Sequence, residues 1–150
     1  MEKDLSLKTY NLPGVSVDLG MSDSHEIKAF VKNILGCRCP DDVFKKILVR
    51  RQVLMNGAIP ADFIINVGDR LLVTIRRHHP QEVLLNFDKI IDPWRSYRDQ
   101  NGFNRLRYVI PVSPGKPTLQ LINKIERLQN SDGRVNIHLI DDAKLPGIIS

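Results

Sequence analysis

Apolar residues first recur at helical spacing over residues 24–35, where Ile27, Phe30, Val31, Ile34 and Leu35 share one face and Gly36 closes the run. Pro40 suits the first position of a second, shorter helix carrying Val43, Phe44, Ile47 and Leu48. The pattern then shifts to strands. Residues 52–55 and 58–59 flank Asn56-Gly57, which predicts a hairpin with a type I′ turn, and Pro60 limits its second arm to a sheet edge or a loop. After Gly68-Asp69, the continuously apolar segment Arg70-Leu71-Leu72-Val73-Thr74-Ile75 predicts a strand buried on both faces. A helix beginning near Pro80 carries Val83, Leu84, Phe87, Ile90 and Ile91 and ends at Pro93, with residues 94–104 as a polar linker. Residues 105–112 alternate, placing Leu106, Tyr108 and Ile110 opposite Arg105, Arg107 and Val109. A helix with Leu121, Ile122, Ile125 and Leu128 follows, and the last strand spans residues 135–140.

From residue 70 the order is strand, helix, strand, helix, strand, which argues for crossover connections. The expected fold class is therefore α/β: a small, mostly parallel sheet flanked by helices, preceded by an N-terminal helical hairpin with a Cys-x-Cys-Pro elbow. The 150 residues fit one domain, with residues 1–22 and 143–150 peripheral.

Composition changes this picture little. Lysine and arginine exceed aspartate and glutamate by 22 − 17 = 5, a balance that favours anionic partners without declaring nucleic acid. The mixed-charge start Met1-Glu2-Lys3-Asp4 leads into no apolar signal core, and no run reaches transmembrane length. The expected location is cytoplasmic, without a membrane partner, where thiols are normally reduced.

Against that background the two cysteines, Cys37 and Cys39, stand out in Gly36-Cys37-Arg38-Cys39-Pro40-Asp41-Asp42. A helix start at Pro40, together with Arg38, would stabilise a thiolate on either sulfur. A disulfide between them closes so small a loop that it is a poor structural staple and a better redox pair. Two thiolates also make half of a tetrahedral metal site, although His25, His78, His79 and His138 lack ligand-like spacing to them. A third reading is two small buried residues filling a tight elbow.

If the last three strands are parallel, their carboxyl ends gather Arg76, Arg77, His78 and His79, then Ser113 and Lys116, then Asp141 and Asp142. Ligands of open α/β sheets bind at such an edge. The two acids there would hold a magnesium ion or neutralise the arginines. Gly115-Lys116-Pro117-Thr118 is no phosphate loop, because Ile110 stands where the first glycine is required.

Three segments resemble a small microbial protein family without an established activity: Gly36-Cys37-Arg38-Cys39-Pro40-Asp41-Asp42-Val43-Phe44, Gly68-Asp69-Arg70-Leu71-Leu72-Val73 and Gly102-Phe103-Asn104-Arg105-Leu106-Arg107. The resemblance spans about residues 24–141 and implies a shared fold. Separately, Arg51-Gln52-Val53-Leu54-Met55-Asn56-Gly57 with Val67-Gly68-Asp69-Arg70 is similar to the alpha-L RNA-binding motif, for which residues 44–50 would supply the basic helix. Residues 70–75 are more apolar than that motif's closing strand. Arg95-Ser96-Tyr97-Arg98, near Trp94 and Phe103, adds cations and stackable rings of the kind that bind single-stranded RNA.

Two functional expectations result. The first is a thiol-dependent protein, redox or metal-linked, using Cys37 and Cys39. The second is a noncatalytic module for RNA, a nucleotide or another anion, using Arg76, Arg77, Lys116, Arg105 and Arg107. The sequence identifies no cofactor and does not decide between enzyme and binding module.

Overall fold

The polar turns and apolar runs resolve into a six-stranded sheet in the computed structural model, which describes residues 12–112 and 118–150. Its strands are β1 (Val15–Val17), β2 (Ile47–Met55), β3 (Ile59–Val67), β4 (Leu71–Ile75), β5 (Arg105–Val112) and β6 (Val135–Asp141), and they lie side by side in chain order. The pairings β1–β2, β2–β3 and β3–β4 are antiparallel, whereas β4–β5 and β5–β6 are parallel. The sheet is thus mixed and mostly antiparallel, not mostly parallel.

The source of that difference is the turn at Gly68-Asp69. Both residues take positive φ, 60° and 59°, the geometry of a type I′ connection between right-twisted strands. The buried Asn66 side chain locks it, accepting from the Asp69 N–H at 2.8 Å and donating to the Asp69 carboxylate at 2.9 Å. Gly68 then donates its N–H to the Lys46 carbonyl at 2.8 Å, and Lys46 Nζ reaches Asp69 at 2.7 Å. Residues 59–67 pair accordingly with β2 and, from Phe63, with β4, so the arm expected to be limited by Pro60 to an edge or a loop is a full strand. Pro60 itself keeps to a local edge, since β4 pairs only from Phe63 onward.

The N-terminal helical hairpin is not formed. Helix α1 (Met21–Ala29) runs into a π-helical turn, Phe30–Ile34, which Gly36 ends at a φ of 74°. Beyond the cysteines, Asp41–Lys45 makes only a 3-10 turn before Ile47 enters β2. Tertiary pairing wins there: Ile47, Leu48 and Val49 pair with Val67, Asn66 and Ile65 of β3 instead of continuing a helix.

Helices α2 (Pro80–Leu85), α3 (Phe87–Gln100) and α4 (Leu119–Ser131) cover one face of the sheet. The helix expected to end at Pro93 breaks at Asn86 and then continues through Pro93 to Gln100. Its supposed polar linker carries Trp94 and Tyr97 into the core, and that burial outweighs one missing backbone hydrogen bond. The opposite face is covered by α1, the π turn and the C-terminal residues, where Leu145 and Ile149 are buried in the segment expected as a peripheral tail. Among the described residues no helix is long and apolar enough to cross a membrane.

One local device shapes the pocket described below. Val49 and Val53 share a side of β2 by alternation, yet Val49 packs on the α1 face and Val53 on the α3 face. Gln52, with a φ of 53°, lies between them and turns the β2–β3 tip toward α3.

Substituting Gly68 tests the central turn. An alanine Cβ there would meet the Val43 carbonyl oxygen at 2.5 Å, on a backbone that alanine already disfavours. Gly68→Ala should lower unfolding free energy by about 2–3 kcal/mol in urea, with an unchanged denaturant slope.

Candidate functional site

The residues expected to line one basic edge divide between two places. Arg76 and Arg77 follow the carboxyl end of β4, whereas Arg105 and Arg107 sit at the amino end of β5, opposite Leu71 and Val73. Ser113 and Lys116 lie outside the described residues.

At the carboxyl end, Asp62 of β3 organises the arginines. Its carboxylate accepts from Arg76 Nη1 at 3.2 Å and from the Arg77 backbone N–H at 2.8 Å. Arg77 Nη2 reaches Asp142 at 2.7 Å, so an acid does neutralise an arginine at this edge. Between Arg76, the β2–β3 tip and helices α2 and α3 lies a pocket of 230 Å³, with walls that include Ile59, Pro60, His78, Glu82, Lys89, Trp94 and Tyr108.

Three of these walls form a hydrogen-bonded chain. His78 Nδ1 lies 2.5 Å from Glu82 Oε1, and Nε2 lies 2.8 Å from the Tyr108 hydroxyl. A carboxylate oxygen accepts, so Nδ1 donates to Glu82, and in the tautomer with its proton on Nδ1 the ring accepts the Tyr108 O–H at Nε2. The His78 side chain is only 7% exposed and stacks on the Tyr108 ring. Burial pushes the Tyr108 phenol well above its usual range, with Arg76 opposing, so it stays protonated at neutral pH. A carboxylate orienting an imidazole against a hydroxyl is a proton-transfer arrangement.

Two donors in the same walls are unmet. The Trp94 indole N–H, fully buried, has no acceptor among the described residues, and neither does the buried Nε of Arg76. Buried donors are nearly always paired, so these two are chemically open to an acceptor.

The sequence contained a signal for part of this site. His78 and Glu82 stand four residues apart across the start of α2, a spacing that puts them side by side on a helix. Tyr108 was recognisably inward-facing. Asp62 and Trp94 are hidden in the sequence, because Pro60 limits its arm to a sheet edge or a loop and Trp94 falls in the expected linker.

On the other face, the sulfurs of Cys37 and Cys39 lie at disulfide-bonding distance, with their Cα atoms 5.4 Å apart. Cys37 is 7% exposed within an apolar cluster that includes Ile27, Val31 and Phe44, and Cys39 is half-buried against it. The helix start expected to stabilise their thiolates is a five-residue 3-10 turn, too short for an appreciable dipole. No group of three or more His, Cys, Asp or Glu among the described residues could hold a metal ion, so the metal expectation gains no support.

The RNA expectation fares no better. The basic helix of the alpha-L motif is replaced by the 3-10 turn and β2. Arg95 and Arg98, expected to present cations to RNA, both bond Asp132, at 2.9 and 3.0 Å. Burial alone would raise Asp132, but the Arg134 backbone N–H and these two guanidinia outweigh it and hold its pKa at about 2. Tyr97 and Phe103 are core residues, in contact with each other.

Arg107 is also buried. Its Nη1 donates to the Leu35 carbonyl at 2.6 Å and faces His138 Nε2 at 3.1 Å. Burial first, and then Arg107, depress the His138 pKa from 6.5 to about 4, so the ring is neutral and accepts.

The architecture defines a mixed-sheet α/β protein with helices on one face, a shorter helical cover on the other and a polar pocket at the carboxyl end. No family model, no curated protein and no solved structure matches the chain, in keeping with a resemblance confined to a family without an established activity.

His138 gives this face a pH signature. Between pH 6.5 and 4 the unfolded chain takes up a proton that the folded ring refuses, so stability falls as pH drops through that window. Across it the wild type should lose on the order of 2 kcal/mol more than His138→Gln, after discounting for the part-exposed ring. Paired urea titrations at pH 7 and pH 4 measure the difference.

Proposed function

We propose that this chain binds a small oxyanion-bearing molecule in the pocket at the carboxyl end of β4 and β5, and that His78 handles a proton there. The observation that carries this reading is the pair of unmet donors, Trp94 Nε1 and Arg76 Nε, in the walls of one pocket. A carboxylate or phosphate oxygen would satisfy them. Lys89, on the same rim, adds positive charge, while Asp62 holds Arg76 in place. The Glu82–His78–Tyr108 chain ends at the pocket wall, where the Tyr108 hydroxyl can take a proton from a bound hydroxyl or acid while passing its own to His78 Nε2.

The test is a thermal-shift and calorimetric screen with small carboxylates and phosphate monoesters. Trp94→Phe removes the N–H but keeps an aromatic wall. It should weaken any compound that raises the melting temperature by about tenfold or more, the worth of a hydrogen bond to a charged group. The lost ring volume should cost about 1–3 kcal/mol of stability, read separately. If no compound in the screen shifts the transition, or if Trp94→Phe binds as tightly as wild type, the reading is wrong.

A second reading, thiol–disulfide exchange at the cysteine pair, is favoured by one observation: the sulfurs are at bonding distance and Cys39 is the more accessible. A small thiol attacking Cys39 Sγ forms a mixed disulfide and releases the Cys37 sulfur as a thiolate. Native protein should then resist iodoacetamide before reduction. After brief treatment with a reductant it should alkylate at Cys39 before Cys37. Full alkylation of both residues without reductant, read by peptide mass, would remove this reading.

A further inference from the structure

Two arginines in the described chain are buried, and they are treated differently. Arg98, 3% exposed, gives Nε and Nη2 to Asp99 at 2.8 and 3.2 Å and Nη1 to Asp132 and the Arg134 carbonyl at 3.0 Å each. Its charge is fully answered. Arg107, 8% exposed, forms no ion pair among the described residues. Its Nη1 is held by the Leu35 carbonyl and His138, while Nε is buried and without a partner among the described residues.

The neighbours make the imbalance worse. Arg105 projects from the same side of β5 and is bonded to the Gly133 carbonyl and the Asn136 amide oxygen, both uncharged, at 2.9 and 2.8 Å. Its charge and burial together lower the pKa of Arg107, with burial the larger cause, yet a guanidinium does not deprotonate in a protein. A cation withdrawn from water without a counter-ion is among the costliest arrangements a fold can hold. The chain also lies one residue from an alternative: β5 could carry an apolar residue here, as it does with Val109 two positions on.

We propose that Arg107 is the anchor of a second anion site, on the face opposite the carboxyl-end pocket. The Leu35 carbonyl fixes Nη1, which leaves the Nε and Nη2 edge of the fork for a compact oxyanion such as a phosphate or carboxylate group. That edge matches two oxygens of such a group, and two parallel N–H donors would engage it. Arg105 supplies a second positive charge beside the site, and His138, as a neutral acceptor on Nη1, helps hold the fork in one orientation. Leu35 is followed at once by the Gly36–Cys39 segment, so the cysteine loop adjoins the residue that sets the anchor.

The probes are inorganic phosphate and acetate, each titrated at pH 7 against chloride of equal ionic strength. The readouts are the His138 ring resonances, the Arg107 Nε–H resonance and the melting temperature. Saturable shifts at both residues, with a rise in melting temperature, are expected from at least one probe in the wild type. They should persist in Arg76→Gln, which affects only the other pocket, whereas the His138 shifts should disappear in Arg107→Gln. Should Arg107→Gln fail to fold, Arg107→Lys keeps the charge but not the fork and should bind about tenfold more weakly. A phosphate response without an acetate response assigns the site to phosphoryl groups, and the reverse assigns it to carboxylates. No saturable shift at His138 from either probe at tens of millimolar would overturn the proposal, as would undiminished binding by Arg107→Lys or a His138 shift that survives Arg107→Gln.

Discussion

The central constraint is that β4 must be dry on both faces. All five residues from Leu71 to Ile75 are buried, and each face needs its own cover. Leu72 packs beneath α2 and α3, whereas Leu71, Val73 and Ile75 pack beneath α1, the π turn and the C-terminal residues. β4 is also where the sheet changes character, since its pairing with β3 is antiparallel and its pairing with β5 parallel. The first pairing needs only the two-residue Gly68-Asp69 turn. The second needs a long crossover, and α2 with α3 supplies both that crossover and one of the covers. Both candidate sites are by-products of this arrangement. One lies where the crossover leaves β4, and the other lies under the cover on the far face.

Much of this was legible because burial writes itself into apolar spacing. The run from Leu71 to Ile75, the alternation of residues 105–112 and the Asn56-Gly57 turn all have one physical interpretation, and each is present where expected. The misreadings share a cause, which is tertiary context overriding a local rule. Pro40 with two acids looks like a helix start, but Ile47, Leu48 and Val49 gain more from pairing with β3. Pro93 looks like a helix end, but Trp94 and Tyr97 gain more from staying on α3. Gly68-Asp69 between two apolar runs is itself a hairpin signal. Taken only as the border of β4, it leaves the antiparallel β3–β4 pairing out of the expected sheet and makes a mixed sheet look parallel.

The chemistry was legible in residue type and not in place. The arginines were identified as ligand groups, yet charge alone does not say which carboxylate will claim which guanidinium. Asp62 claims Arg76, Asp142 claims Arg77, and Asp132 claims both Arg95 and Arg98. What is left over is informative only after that pairing is known. Arg107 matters because, among the described residues, the other buried arginine, Arg98, is answered by carboxylates and Arg107 is not. The cysteines show the converse. Their spacing drew attention, but an apolar cluster around Cys37 and a single 3-10 turn after Cys39 remove the electrostatics that would have made them reactive thiolates.

The Ile137 backbone N–H, on the side of β6 away from β5, donates to the Gln129 side-chain oxygen of α4 at 2.8 Å. β6 is the outermost parallel strand, and an exposed row of amides is an invitation for another extended chain to add itself. Here the middle of that row is already occupied by the preceding helix. Lengthening the sheet on this flank would first require Gln129 to let go, so the fold carries its own safeguard against end-to-end sticking where its lattice of strands stops.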